Sequence, residues 1–333
     1  MARAPRAAPR PGTPVVSVVI PAFNRPGLLA QALASIAAQT THLPVEVIVS
    51  DDMGLEATRD VVARYGDRGY LYTRNPEPRG AVANWNRCLR LATSDYVTLL
   101  HEDDALYPWF LETALPHLGD GAAAVCTRTT RGPVMPVIQQ PRPRARVDQY
   151  RPGYFLKSSM TPFPGVVMRR EVALGLGGFD EAWGPIADYE FWYRLACSGE
   201  VRIVHADAAF YRVAPNQWTE RVWPRMLRLT HLLRLRIARE QFPEWPGAAL
   251  WAARLFTLRN TRSYAERFGS AAPVVGRCRR LSRMPLSSFP SGWLWGALKF
   301  ASLPEGRYCR LAPNARPAAQ IQQGGGGSDF VAA

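Results

Sequence analysis

From residue 15 to residue 127 the chain repeats one unit: a short apolar run, a polar cluster, then a longer stretch with apolar positions three or four apart. Val15–Ile20, Val45–Ser50, Tyr70–Thr73, Tyr96–Leu100 and Ala122–Thr127 read as strands. Gly27–Ala38, Leu55–Tyr65, Ala81–Ala92 and Trp109–Leu118 read as the helices between them. Runs apolar on both faces belong to strands covered from both sides, and a helix after each strand is the connection that parallel strands need. The pattern therefore predicts an α/β fold with a mostly parallel, Rossmann-like sheet flanked by helices. With 333 residues there is room for one large domain or two modest ones.

The repeat stops at residue 128. Pro133, Pro136, Pro141, Pro143 and Pro152 stand among arginines, so residues 128–152 are expected to form a long loop. Order resumes at Gly165–Met168, a turn at Gly177–Asp180, a helix near Tyr189–Cys197 and a strand at Val201–His205. From Trp218 the pattern is helical. Arg221, Arg225, Arg228, Arg236 and Arg239 fall on one side, with Trp223, Met226, Leu227, Leu233 and Ile237 on the other. The expected organisation is a disordered Pro/Arg-rich tail over 1–14, an α/β domain over 15–217, a helical Arg-rich extension over 218–319 and a flexible tail over 320–333.

This division explains the charge. The chain carries 41 Lys+Arg against 27 Asp+Glu, a net of +14. Residues 1–220 hold 23 basic and 22 acidic residues, while 221–333 hold 18 and 5. Nucleic acid is the partner that composition alone suggests, but the excess lies outside the α/β part and no nucleic-acid-binding motif accompanies it, so none is expected. Two readings of the basic helices stay open: a peripheral contact with an anionic membrane, or a solvated subdomain packed on the rest. Leu286–Leu303 is the longest apolar stretch, yet Pro290, Gly292, Gly296 and Lys299 interrupt it, so no transmembrane helix is expected. Cys88, Cys126, Cys197, Cys278 and Cys309 have neither disulfide-framework nor zinc-site spacing. A cytoplasmic location fits best, at most peripheral at the inner face of the cell membrane.

In open α/β sheets, ligands sit outside the carboxyl ends of the strands. There the first strand delivers Pro21-Ala22-Phe23-Asn24-Arg25, the second Asp51-Asp52 and the fourth His101-Glu102-Asp103-Asp104. Clustered carboxylates repel unless a cation compensates, and with phosphate oxygens they make a hard-oxygen site suited to Mg²⁺ or Mn²⁺. The alternative is that each pair caps the helix that follows it.

Five stretches in this order resemble glycosyltransferase family 2: Val16–Arg25, Val47–Asp52, Asn84–Leu89 with Tyr96–Asp104, Gly177–Glu181 and Asp188–Leu195. The resemblance covers residues 15–213 and implies a GT-A type nucleotide-sugar-binding fold. It further implies an inverting, metal-dependent, non-processive transferase that moves one sugar from a nucleotide-sugar donor to an acceptor hydroxyl. On this reading Asp52 bonds the donor's base, UDP or dTDP being favoured. The loop with Pro21, Ala22, Asn24 and Arg25 lies along the nucleotide, and Gly80 and Asn86 shape the donor pocket. Asp103 binds Mg²⁺ or Mn²⁺, Glu102 approaches the ribose or the metal, Asp104 buttresses the loop, and Asp188 is the catalytic base. His101 stands where the family's motif begins with Asp, and Val213-Ala214 stand where many members carry a His. The alternative for Asp188 is a helix N-cap. Trp183 and Trp192 are candidates for an acceptor-side sugar platform, with core packing favoured for Trp192. A glycan, lipid-linked or small-molecule acceptor is expected. The competing class is a basic binding protein whose transferase-like domain is degenerate.

Overall fold

The computed structural model describes residues 14–119, 121–139, 145–160, 163–213, 218–268 and 308–310. The strands are β1 (Val16–Ala22), β2 (Val45–Asp51), β3 (Leu71–Arg74), β4 (Tyr96–Leu99), β5 (Ala105–Leu106), β6 (Ala122–Gly132), β7 (Val147–Tyr150), β8 (Val166–Arg169), β9 (Glu200–Arg212) and β10 (Tyr308–Arg310). They form one sheet in the order β10-β7-β9-β6-β8-β4-β1-β2-β3, with β5 paired to β9 beside it. The helices are α1 (Pro26–Ala37), α2 (Glu56–Ala63), α3 (Ala81–Leu91), α4 (Phe110–Ala114), α5 (Arg170–Gly175), α6 (Ala187–Ser198), α7 (Trp218–Gln241) and α8 (Pro246–Phe268).

Strands β3, β2, β1 and β4 run parallel, as the alternation predicts. Their register sets Ala22 beside Asp51, so the first two polar clusters emerge at one edge. Beyond β4 the sheet is mixed. β8 runs antiparallel to both β4 and β6, and β6 and β9 are parallel to each other. β5 lies antiparallel to β9 with Ala105 opposite Phe210, which draws the residues just before it toward the end of β9.

The expected loop over 128–152 is corrected at both ends. β6 runs on to Gly132 and β7 occupies 147–150, both paired to a β9 that is longer than expected. A Pro/Arg-rich composition hides these strands because long-range ladders, rather than apolar periodicity, hold them. Part of the same segment, residues 140–144, lies outside the described residues. Trp109–Leu118 shortens to α4 plus a 3₁₀ turn over Leu115–His117, since Pro116 has no N–H to continue the helix. Residues 1–13 of the expected 1–14 tail, the tail at 320–333, and residues 269–307 and 311–319 of the expected helical extension, with Leu286–Leu303 among them, lie outside the described residues, and Tyr308–Arg310 of that extension form strand β10 rather than helix.

Two apolar layers cover the sheet. On one face Leu29, Leu33 and Ile36 of α1 pack with Val61 and Val62 of α2 and Phe110 of α4. On the other, Trp85 and Leu89 of α3 meet Phe191, Trp192 and Leu195 of α6. Leu233 and Ile237 of α7 and Ala249, Ala252 and Ala253 of α8 belong to that second layer. The basic helices therefore share a core with the sheet, and the small side chains of α8 let it lie close. Trp192 is wholly buried, so it packs the core rather than offering a face to a sugar. Among the described residues no helix is long and apolar enough to cross a membrane. Cys88, Cys126 and Cys197 are free thiols.

Candidate active site

Neither carboxylate pair caps the helix after it. α2 has Leu55 at its N-cap with no side-chain bond, and α4 has Trp109. Asp51 instead closes its own turn, accepting from the N–H groups of Met53 and Gly54 at 2.9 Å each and from the Tyr72 hydroxyl at 2.9 Å. Asp52 is buried and accepts from Asn75 Nδ2 at 2.5 Å and from the backbone N–H groups of Arg79 and Gly80 at 2.9 Å. It thus ties β2 to the start of α3. Gly80, the N-cap of α3, holds φ at +88°, which a side chain would strain.

Asn84 lies beneath this turn. Its amide donates to the Ser50 carbonyl at 2.9 Å and accepts from the Ser50 hydroxyl at 2.6 Å. Arg87 donates to Ser50 Oγ and Thr73 Oγ1 at 2.6 Å each. Asn86, placed by the sequence in the donor pocket, uses both ends of its amide on Phe179, at 2.8 Å to each backbone group.

The loop after β1 folds over the acidic motif. Phe23 N–H donates to Glu102 Oε2 at 2.9 Å, and Arg25 Nη1 lies 2.5 Å from Asp103 Oδ2. Asn24 holds φ at +61°, the turn that sends Arg25 back to the motif. Pro21 and Ala22 are the last residues of β1, and Ala22 C=O accepts from Asp52 N–H at 3.0 Å. From the opposite side Arg212, at the end of β9, donates its backbone N–H to Asp104 Oδ1 at 2.9 Å and its Nε to the Asp103 carbonyl at 2.8 Å.

One ligand atom each from His101, Asp103 and Asp104 lies within 4.8 Å of the others. His101 Nε2 and Asp104 Oδ2 are buried without hydrogen-bond partners. A buried carboxylate oxygen left without a donor is costly unless a cation meets it, and the nitrogen that lies near it is His101 Nδ1, 3.9 Å away. His101 packs between the rings of Trp85 and Phe163, at 5.4 and 4.5 Å between centroids, and burial lowers its basicity so that it stays a neutral ligand. Burial holds Asp104 well above the ordinary carboxylate range and pushes Glu102 up to about 7. A cation would reverse both shifts. The donor set, one imidazole and two carboxylates, suits Mn²⁺ or Mg²⁺ completed by phosphate oxygens and water.

Asp188 lies in the first turn of α6, where Ile186 is the N-cap, so the N-cap reading of Asp188 does not hold. Its Oδ1 accepts from Tyr189 N–H at 2.7 Å, and burial raises its pKa to about 6. Tyr211, on β9, connects the two acidic centres. Burial first, then the charges of Asp104, Asp103 and Asp188, push its hydroxyl up to about 12. Arg131, its partner across β6 and β9, places a guanidinium 5.6 Å from the centre of the ring. Tyr264 reaches the same space from α8. Its ring stacks on Trp223 of α7 at 6.4 Å, and the charges acting on it are Asp188, Arg267, Arg131 and Arg234.

Sequence reasoning placed Pro21, Ala22, Arg25, Asp52, Glu102 and Asp103 on adjoining loops. It missed Asn75, Arg131 and Tyr264, and it covered Tyr211 and Arg212 with the family resemblance, which runs to residue 213, without giving them a role. Only a prediction that β6 and β9 are long enough to reach this edge could have found the β-strand residues, and no local signal marks Tyr264.

Residues 17–174 match the sequence profile described as Glycosyl transferase family 2. These residues carry the glycosyltransferase family 2 match, just under half of the chain, and the sheet they begin is of the GT-A type. Among sequence relatives, validoxylamine A glucosyltransferase from Streptomyces hygroscopicus subsp. jinggangensis is 38% identical over 117 residues, 34% of this chain and 28% of that protein. Such a match spans well under half of that relative's length. Among solved structures, S. aureus TarS 1-349 in complex with UDP-GlcNAc superposes with a TM-score of 0.58 at 15% identity, covering 86% of this chain and 80% of that one. The mannosyltransferase PcManGT from Pyrobaculum calidifontis, in complex with GDP-Man and Mn²⁺, gives 0.51 at 19% identity, covering 86% and 84%. At these identities the two structures speak to the fold.

Proposed function

We propose that the protein transfers one sugar from a nucleotide-sugar donor to an acceptor hydroxyl by a single, metal-dependent displacement that inverts the anomeric centre. The observation that carries this reading is Tyr211, whose hydroxyl lies within electrostatic reach of both the Asp103–Asp104 pair and Asp188. An acidic motif suited to a diphosphate and a carboxylate of raised proton affinity therefore both act on one hydroxyl.

Each residue has a task. Asp52 and the ordered Arg79–Gly80 backbone form the wall for the donor's base, and a uracil or thymine N3–H would share the Asp52 carboxylate. The Pro21–Arg25 loop lies along the nucleotide. His101, Asp103 and Asp104 would hold Mg²⁺ or Mn²⁺. Bound there, the ion would neutralise charge developing on the leaving diphosphate. Asp188 takes the proton of the acceptor hydroxyl as that oxygen attacks the anomeric carbon from the face opposite the diphosphate. With a pKa of about 6 it is ionised at neutral pH and still a stronger base than an ordinary aspartate.

The acceptor is read as a glycan, a lipid-linked sugar or a small molecule. Exposed Arg221, Arg228 and Arg239 on α7 favour peripheral contact with an anionic membrane at the cytoplasmic face. Thermal shift with nucleoside diphosphates plus Mn²⁺ tests donor binding. Stabilisation by a uridine or thymidine diphosphate is expected, and no stabilisation by any nucleotide would return the protein to the degenerate class. Transfer by Asp188→Asn at the wild-type rate would remove Asp188 as the base.

A further inference from the structure

We propose that a small inorganic anion, chloride or phosphate, binds against Arg234 in the seam between α7 and α8, with His231 and Arg254 beside it. The site is independent of the transfer chemistry proposed above.

Among the described residues Arg234 is the one buried cation, 1% exposed. Its guanidinium donates to the Lys157 carbonyl at 2.9 Å and to Thr257 Oγ1 at 3.3 Å, and its Nε is buried without a partner. Both acceptors are neutral. Buried Glu190, by contrast, meets Arg194 and Arg236. No carboxylate meets Arg234 among the described residues. Asp188 does not serve, since burial raises its proton affinity and only backbone donors oppose the rise. A guanidinium held away from water without a counter-charge is costly, and an anion removes that cost.

The neighbours add positive charge. Thr257 Oγ1 donates to the Ala253 carbonyl at 2.8 Å, so its lone pairs accept from Arg234 and from His231 Nδ1, the latter at 3.1 Å. One hydroxyl thus holds imidazole and guanidinium together. Arg254 lies one turn before Thr257 on α8, and the charges acting on His231 are those of Arg234 and Arg254. Acidic groups are absent from that set. Burial decides the size of the anion: a ligand carrying a sugar or a lipid tail has no room at a side chain so enclosed. Half-buried Arg254 extends the positive charge toward the surface. Bound there, the ion would join α8 to α7 and, through Arg234, to the Lys157 carbonyl. The folded state would then gain stability with the concentration of that anion.

The test is melting of the full-length protein in a gluconate buffer, whose anion is too large for the seam, with chloride or inorganic phosphate exchanged in at constant ionic strength. A saturable rise in melting temperature with at least one of them is expected, about 4 °C or more at about a hundredfold excess over its midpoint. Arg234→Lys keeps the charge but loses the planar fork, and should raise that midpoint about tenfold or more. Arg259→Gln, an exposed change on α8, should leave it unchanged. Should Arg234→Lys not fold, calorimetric titration of the wild type with the stabilising anion replaces it, and saturable heat is expected. Saturation by chloride identifies a halide site, and saturation by phosphate alone an oxyanion site. The proposal fails if neither anion shifts melting, if the shift grows without saturating as a general salt effect does, if Arg234→Lys keeps the wild-type midpoint, or if calorimetry shows no binding.

Discussion

As the proposed base, Asp188 meets two demands that oppose each other. Burial makes it a better base, yet a charged carboxylate away from water costs folding free energy. Because its folded pKa of about 6 lies above the unfolded value of 3.8, the folded state binds more protons between these values. Stability therefore falls as pH rises from about 4 to about 6 and stays lower above that. Asp188→Asn should remove this cost, raising the melting temperature at pH 7.5 by about 2–4 °C for each kcal/mol recovered. The same change should lower transfer by about 10²- to 10⁴-fold. A pair of melting curves at pH 4.5 and 7.5, with initial rates, checks both halves, and the gain should be confined to the higher pH. In the wild type, transfer should rise with pH along an acidic limb centred about 6, read from kcat/KM. Arg25 presents a second contest at this scale. Its guanidinium stands 2.5 Å from Asp103 and competes with any cation for that carboxylate. Since the side chain is 42% exposed, water screens the pair. Arg25→Gln should tighten Mn²⁺ binding by about two- to fivefold in nucleotide-free protein, measured by calorimetry.

The elements around the site are fastened by backbone devices that a sequence pattern does not display. The turn before α6 is an example: Gly178 holds φ +73°, and a methyl group there would lie 2.3 Å from the Asn86 oxygen that accepts from Phe179 N–H. Gly178→Ala should break this clamp, costing about 1–3 kcal/mol by chemical denaturation and loosening the segment that leads to Asp188. Gly175→Ala, with nothing within 4 Å of the added methyl and an ordinary φ at the end of α5, should be nearly neutral. The motif Gly177-Gly178-Phe179-Asp180 is legible as a turn in the sequence. Its grip on α3 through Asn86 is not, because residues 86 and 179 meet only after the sheet has formed. The arginines of α7 divide in the same way. Arg221, Arg228 and Arg239 remain on the surface, as the helical wheel requires, while Arg234, which is not part of that stripe, is buried, donating to the Lys157 carbonyl at 2.9 Å and to Thr257 Oγ1 at 3.3 Å.

Over the whole molecule, the basic helices and the α/β sheet share one core layer, in which Leu233 and Ile237 of α7 join Trp192 and Phe191. A chain ending at residue 217 would expose that layer. It should bind a hydrophobic dye and melt with a broad transition, while the full chain unfolds in one step. Membrane contact is therefore better tested by charge than by truncation: Arg221→Gln, Arg228→Gln and Arg239→Gln together should weaken sedimentation with anionic vesicles and flatten its salt dependence. The amino-acid sequence by itself determined the parallel βαβ half and the polar strand ends that carry Asp52 and Asp103, because buried strands and the loops after them leave local periodic signals, whereas Asp188 was marked only by the family resemblance. Only the tertiary structure decided that β6 and β9 carry Arg131, Tyr211 and Arg212 to the same edge, that His101 joins Asp103 and Asp104, and that α8 brings Tyr264 toward Asp188. Apart from the His101–Asp104 group, which is local, these neighbours lie tens to more than a hundred residues apart along the chain, and what joins them is ladder register and helix packing, which no local pattern records.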